Sequence, residues 1–162
     1  MTNGAPPSSS NPWQNPLWRF SLEFYRHPQV ERFLLECQDL RGADVCLMLW
    51  ASHVAATGGK LSSESWETAN RGTAPLRRVI RRIRQLRRWL GRACPRARRI
   101  YAGCKHCEQL LEQRQIAALW ALQTRPWAGD CPPVELVGQR YGLTQSDQAL
   151  WAGLIDSFTS GN

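Results

Sequence analysis

The stretch "PLRRVIRRIRQLRRWLGR", residues 75–92, holds eight arginines among eighteen residues and no acid, and its apolar residues recur at a helical period. At about 100° per residue from Leu76, the side chains of Val79, Ile80, Ile83, Leu86 and Leu90 fall between about −80° and +40°, one stripe suited to docking on a core. Arg77, Arg78, Arg81, Arg82, Arg84 and Arg88 take the arc from about 80° to 240°. A strand would send alternate residues to opposite faces. No stretch longer than four residues alternates in that way, and no Asn-Gly or Asp-Gly turn joins two apolar runs. The expected fold is therefore all-α, a compact single-domain bundle of six or seven helices.

Helix signals flank this stretch on both sides. Residues 17–26, "LWRFSLEFYR", spread aromatics around a short helix that should be largely buried. Pro28 opens a second helix, with Val30, Phe33, Leu34 and Cys37 on one face and Gly42 at its end. Asp44 offers its carboxylate to the free first-turn amides of "VCLMLWASHVAA", apolar nearly all round and so a central helix, closed by Gly58 and Gly59. Around 63–70 there is room for one or two turns, anchored by Trp66. Thr73 as a cap and Pro75 in the first turn then start the arginine helix, which Pro95 stops. A long helix fits 98–123, carrying Ile100, Leu111, Ala118, Leu119 and Leu122. After the turn-forming "TRPWAGDCPP" come a segment over 134–141, ended by Gly142, and a helix capped by Thr144 with Asp147 at N3. Leu150, Trp151, Leu154, Ile155 and Phe158 form the inner side of that last helix.

The chain of 162 residues is 43% hydrophobic with eight tryptophans, enough apolar material for one core, expected over 13–160. Residues 1–12, rich in Pro, Ser, Asn and Gly, read as a disordered leader rather than a secretory signal. With no apolar run long enough to span a bilayer, a cytoplasmic protein without a membrane association is expected. In that compartment the six cysteines are expected to be mostly reduced, buried thiols.

The formal charge is +8, yet residues 71–99 hold twelve arginines and no acid, leaving nine basic against thirteen acidic residues elsewhere. An acidic body with one basic element points to a polyanion, an acidic protein partner, or internal charge pairing. Like charges at i,i+4, such as Arg77 with Arg81, each disfavour the isolated helix by a few tenths of a kcal/mol, so something should offset them. Arg87 falls inside the apolar stripe and calls for a carboxylate, with Glu23 or Asp44 as candidates. Trp89 falls among the arginines, where an indole can stack on a nucleobase or lie beneath another segment. The candidate polyanion-contacting residues are Arg77, Arg78, Arg81, Arg82, Arg84, Arg88, Trp89 and Arg92. Their partner would be RNA or DNA backbone, and contact with about four or five phosphates would give a log–log salt slope of about −4 without base specificity. The alternatives are an adaptor for an acidic protein, a merely solvated face, or a small helical enzyme without a recognisable motif.

Chemistry-bearing residues are sparse. "GCKHC" supplies Cys104, His106 and Cys107, but structural zinc needs a second pair, and Cys94 and Cys131 match no familiar spacing. On a helix Cys104 and Cys107 share a side and read as ordinary core residues. His53, in the central apolar helix, reads as a satisfied core histidine. No phosphate loop, dinucleotide fingerprint or zinc-protease motif is present, so neither catalytic residues nor a cofactor or metal site is assigned.

The pattern W-x-F-S-L-x-F-Y, carried by Trp18, Phe20, Ser21, Leu22, Phe24 and Tyr25, is followed by Pro28, Val30, Leu35, Gln38 and by Gly42 to Val45. With these residues the chain resembles a family of short, uncharacterised proteobacterial proteins common in pseudomonads and vibrios, a domain of unknown function. The resemblance is strongest over 18–58 and extends to about residue 120. It implies a bacterial cytoplasmic protein and brings no activity, substrate or cofactor with it.

Overall fold

The computed structural model describes residues 13–94, 96–123 and 129–161. Over these the chain is an all-α, single-domain bundle of seven helices: α1 Pro16–Tyr25, α2 Pro28–Arg41, α3 Val45–Ala56, α4 Ser63–Ala93, α5 Arg98–Gln123, α6 Pro133–Arg140 and α7 Gln145–Ser160. The leader expected over 1–12 lies outside the described residues, as do Pro95 and positions 124–128 of the turn-forming segment. Among the described residues no helix is long and apolar enough to cross a membrane.

Local chemistry sets most of the boundaries. The Asp44 carboxylate accepts from Leu47 N at 2.9 Å and starts α3. Gly42, at φ 64°, ends α2 in the left-handed region that side chains with a Cβ avoid. Thr144 and Asp147 exchange side-chain-to-backbone bonds in a capping box at the head of α7. An isolated antiparallel bridge between Leu61 and Cys131 ties the approach to α4 to the approach to α6.

Helix α3 is the hub, in contact with α1, α2, α5, α6 and α7. Leu47, Met48, Trp50 and Ala51 are at most 1% exposed, as a helix apolar on every side requires. His53 is buried, bonded to Gln123 and packed edge-on to Phe20 and Trp120, so it is a core histidine. Burial pushes its titration below the ordinary value of 6.5. Trp151 Nε1 donates to Ser52 Oγ at 2.9 Å, which joins α7 to the hub. Leu150, expected on the same inner side, is instead exposed, while Trp151 and Ile155 are buried.

The largest correction concerns α4. Thr73 and Pro75 do not begin a helix; they lie inside one of 31 residues that starts at Ser63, behind the cap Ser62, whose side chain and that of Ser65 form a capping box. Thr73 is fully buried and its hydroxyl donates to Ala69 O at 2.8 Å. Pro75, exposed at the surface, forgoes one helical bond. Trp66, buried at 3% exposure, anchors the segment that had looked like a separate short element. Its packing, shared with Ala69 and Thr73, holds the first turns in line with the rest.

Candidate functional site

Helices α4 and α5 form an antiparallel hairpin, and their mutual contact is the most extensive between any two helices of the bundle. A Cβ at Gly91 would lie 3.4 Å from the Tyr101 ring, an ordinary van der Waals contact across the hairpin. Across this seam Ile80 and Leu90 are buried, whereas Val79 and Leu86, at the edge of the same stripe, are each 47% exposed. A single helix is too narrow to cover the whole stripe. On α5, Ile100 and Leu110 are likewise exposed; Cys107 is exposed and Cys104 half-buried, so these two cysteines are not the core residues that their spacing had suggested. They lie on the side of α5 turned from the body. Among the described residues no three His, Cys, Asp or Glu side chains gather as metal ligands would.

The arginines of α4 divide into sets with different surroundings. Arg84 and Arg87 are neutralised inside the hairpin. The Glu108 carboxylate, with its side chain 7% exposed, accepts from Arg87 Nε and, at 3.4 Å, from Arg84 Nε. Glu112 takes Arg84 Nη2 at 2.7 Å. The bond to Glu108 raises the affinity of Arg87 for its proton further, and Tyr101 Oη adds a contact at 3.1 Å. Burial pushes the Glu112 carboxyl up, opposed by Arg84. Arg87 thus has the carboxylate its position demands, but from α5 and not from Glu23 or Asp44. The acids at 108 and 112, four residues apart on one helical face, were the signal available in the sequence.

A second set faces a groove of about 570 Å³ between α4 and the corner that joins α2 to α3, which Tyr141 also lines. Arg77, Arg81, Arg84 and Arg88 reach it, one helical turn after another. Arg77 donates to Asn70 Oδ1 and to Asn70 O, neutral acceptors that leave its charge uncancelled. Arg88 meets Asp39 at 3.1 Å in an exposed pair, and Arg140 meets Glu67 at 3.6 Å. Arg81 has no hydrogen bond or ion pair among the described residues. In the wall, Gln115 Nε2 donates to Asp44 Oδ1 at 2.9 Å, while its Oε1, on a residue 1% exposed, meets no donor. Tyr141 Oη accepts from Asp44 N at 3.2 Å. Burial, aided by Asp44, pushes the Tyr141 phenol up to about 12, so it keeps its proton.

The third set points away from the body. Arg78, Arg82 and Arg92 are exposed, and none of them meets a carboxylate among the described residues; Arg92 only donates from Nε to Arg88 O. Trp89 stands among them at 53% exposure. The eight candidate residues therefore lie on one helix but not on one surface. Arg78, Arg82, Trp89 and Arg92 share the outward arc; Arg77, Arg81 and Arg88 face the groove, and Arg84 is tied to α5.

The chain belongs to a family described as proteins of unknown function, DUF2390, whose model matches residues 16–119. That span covers α1 to α4 and most of α5, the hairpin included. No curated protein and no solved structure matches the chain.

Proposed function

We propose that this member of a family without an assigned activity is a non-enzymatic binding protein that holds the phosphate backbone of RNA or DNA against the outward face of the α4–α5 hairpin. One observation carries this reading. Between Glu67 and Glu108 the chain has thirteen Lys and Arg and no acid, and among the described residues carboxylates reach Arg84, Arg87 and Arg88 but not Arg78, Arg82 or Arg92. Folding therefore leaves a cationic face whose self-repulsion an anion relieves. Phosphate contacts supply affinity without sequence preference. Trp89, exposed beside them, favours single strands, whose unstacked bases can lie on the indole.

A second reading, an adaptor for an acidic protein, draws on Val79 and Leu86, apolar and exposed next to the same cations. A protein surface would cover them, whereas a phosphate backbone has no use for them. Titration of labelled single-stranded RNA, duplex DNA and polyglutamate against the full chain separates the two. The nucleic-acid reading expects saturable RNA binding at low salt, weakened at least about tenfold by R78Q/R82Q/R92Q and to a lesser degree by W89A. Absence of RNA binding at low salt, or unchanged binding by the triple variant, overturns it. Binding of polyglutamate alone selects the adaptor.

A further inference from the structure

A second cleft, of about 580 Å³, lies where α1, α2 and α3 meet the α4–α5 hairpin, and all five helices contribute to its lining. Its apolar wall comes chiefly from α1. Trp18, Leu22 and Tyr25 stand at i, i+4 and i+7 and so share one helical face. Leu35, Leu49 and Ile116 add aliphatic surface from α2, α3 and α5. Leu22, Leu35 and Tyr101, which the fold leaves exposed, all line this cleft. Arg78, Arg82 and Arg92 of the outward face do not.

The aromatic residues of α1 divide between core and cleft. Phe20 and Phe24 stack on each other, and both meet Phe158 edge-on. Trp18 and Tyr25, half-buried on the cleft face, meet no other ring among the described residues. Two helical turns separate them, about 10 Å along the axis, the length of a small fused-ring system. The Tyr25 hydroxyl has no hydrogen-bond partner among the described residues and stays accessible, whereas Ser21 Oγ on the same helix is sealed. Burial pushes the Tyr25 phenol up to about 12, with Glu31 and Glu112 adding to the rise and Arg84 opposing it, so it keeps its proton and can donate. Those three charged groups all line the cleft, which places the phenol within it.

The charges of the wall are matched within the protein. Glu108 accepts from Arg84 and Arg87, Glu112 from Arg84, and Asp39 from Arg88. The charged lining residues without such partners, Arg26, Glu31 and Lys105, are of both signs and exposed, so they keep their water. An anion carried to the phenol would face Glu31 and Glu112, the two acids that already act on it. We infer that this cleft binds a neutral, flat aromatic molecule, its rings against Trp18 and Leu22 and a carbonyl oxygen accepting from Tyr25 Oη. The volume lies within the range of small-molecule sites, and an apolar wall with one placed donor is their usual chemistry. An acyl chain would cover the wall but leave the phenol without an acceptor. An aromatic acid would supply the acceptor and meet the two carboxylates.

The test uses the full chain with four probes, followed by thermal shift and titration calorimetry: flavone, which is neutral and carries a ring carbonyl; flavan, which lacks the carbonyl; a flavone carboxylate; and decanoate. Expected is a saturable rise in Tm with flavone and an affinity about fivefold or more above that for flavan or the carboxylate. Y25F keeps the ring and removes the donor, so it should bind flavone about fivefold more weakly and no longer prefer it to flavan. L22E, at an exposed position, should fold normally and weaken both. The triple variant R78Q/R82Q/R92Q should bind flavone as the parent does, which separates this site from the outward face. Flavone binding unchanged in Y25F, or lost in the triple variant and kept in L22E, overturns the assignment. A flavone carboxylate bound more tightly than flavone overturns it too, as does decanoate bound in place of flavone. No response to flavone up to its solubility limit has the same consequence, whatever the result with RNA.

Discussion

Glu108 is the acid that two arginines of the hairpin share, and its burial makes the arrangement costly to interrupt. Replacing it with Ala leaves Arg84 with Glu112 but removes the only carboxylate of Arg87 among the described residues. Because both guanidinium groups keep partial access to water, the expected loss is at the low side of the buried-pair range, about 2–3 kcal/mol. Denaturant unfolding of E108A and E108Q measures it; a loss below about 0.5 kcal/mol would mean that the pair is a surface contact in solution. His53 gives a pH signature. Its folded-state titration lies below the ordinary 6.5, so the fold favours the neutral ring. Its contribution is complete above 6.5 and declines as pH falls from 6.5 through the lowered folded value. The difference in stability between pH 7.5 and pH 5 should shrink in H53N relative to the parent; an equal difference would assign the acid sensitivity to other groups. At this scale the need of Arg87 for a partner was legible, since a cation inside an apolar stripe cannot stand alone. The partner's identity was not, because it depends on the register of two antiparallel helices whose paired residues are 21 apart in sequence.

Helix α4 shows where element-level signals compete. Thr and Pro two residues apart are a sound start signal, yet Thr73 here donates back to Ala69 O and Pro75 sits in the interior. The contest is decided by Trp66 and Ala69, whose burial fixes the first turns in line with the rest. If the helix is continuous, Pro75→Ala restores a backbone donor and removes a ring clash, and should stabilise the protein by about 1–3 kcal/mol. A neutral effect in thermal or denaturant unfolding would instead indicate a helix that begins at Pro75. Gly42 offers the opposite case, a boundary that the sequence specified outright. A Cβ there meets nothing within 4 Å, so Gly42→Ala pays only for its φ of 64°, about 1 kcal/mol. Capping residues and glycines made the ends of α2, α3, α6 and α7 readable, since those signals act within a few residues. The exposure of Leu150 and of Cys107 was not readable, because it depends on which helices arrive from elsewhere to cover each face.

At the scale of the molecule, an all-α bundle with a central apolar helix follows from periodicity alone, and the segregation of charge follows from a count. What folding adds is a sorting of the arginines. Those turned toward α5 meet Glu108 and Glu112 and hold the hairpin together. Those turned toward α2 and Tyr141 line the groove. Among the arginines of α4 only the outward set remains for a large anion, fewer than the composition suggests, so the share of the salt response that α4 supplies should be shallower than its raw arginine count implies. About three phosphates neutralised on a single strand give a log–log slope near −2. Self-association through this face is disfavoured by the same charges, since it would bring two uncompensated cationic surfaces together.

The division of the arginines is the central claim, and one paired comparison addresses it: RNA affinity across a salt series, alongside unfolding stability, for R78Q/R82Q/R92Q and for R84Q/R87Q. The outward triple variant should keep the parent's stability and lose most of its affinity and its salt slope. The inward double variant should lose about 3 kcal/mol of stability, with Glu108 left buried and unpaired, while the folded fraction keeps its affinity. The reverse result, affinity lost on the inward change and stability on the outward one, would contradict the account.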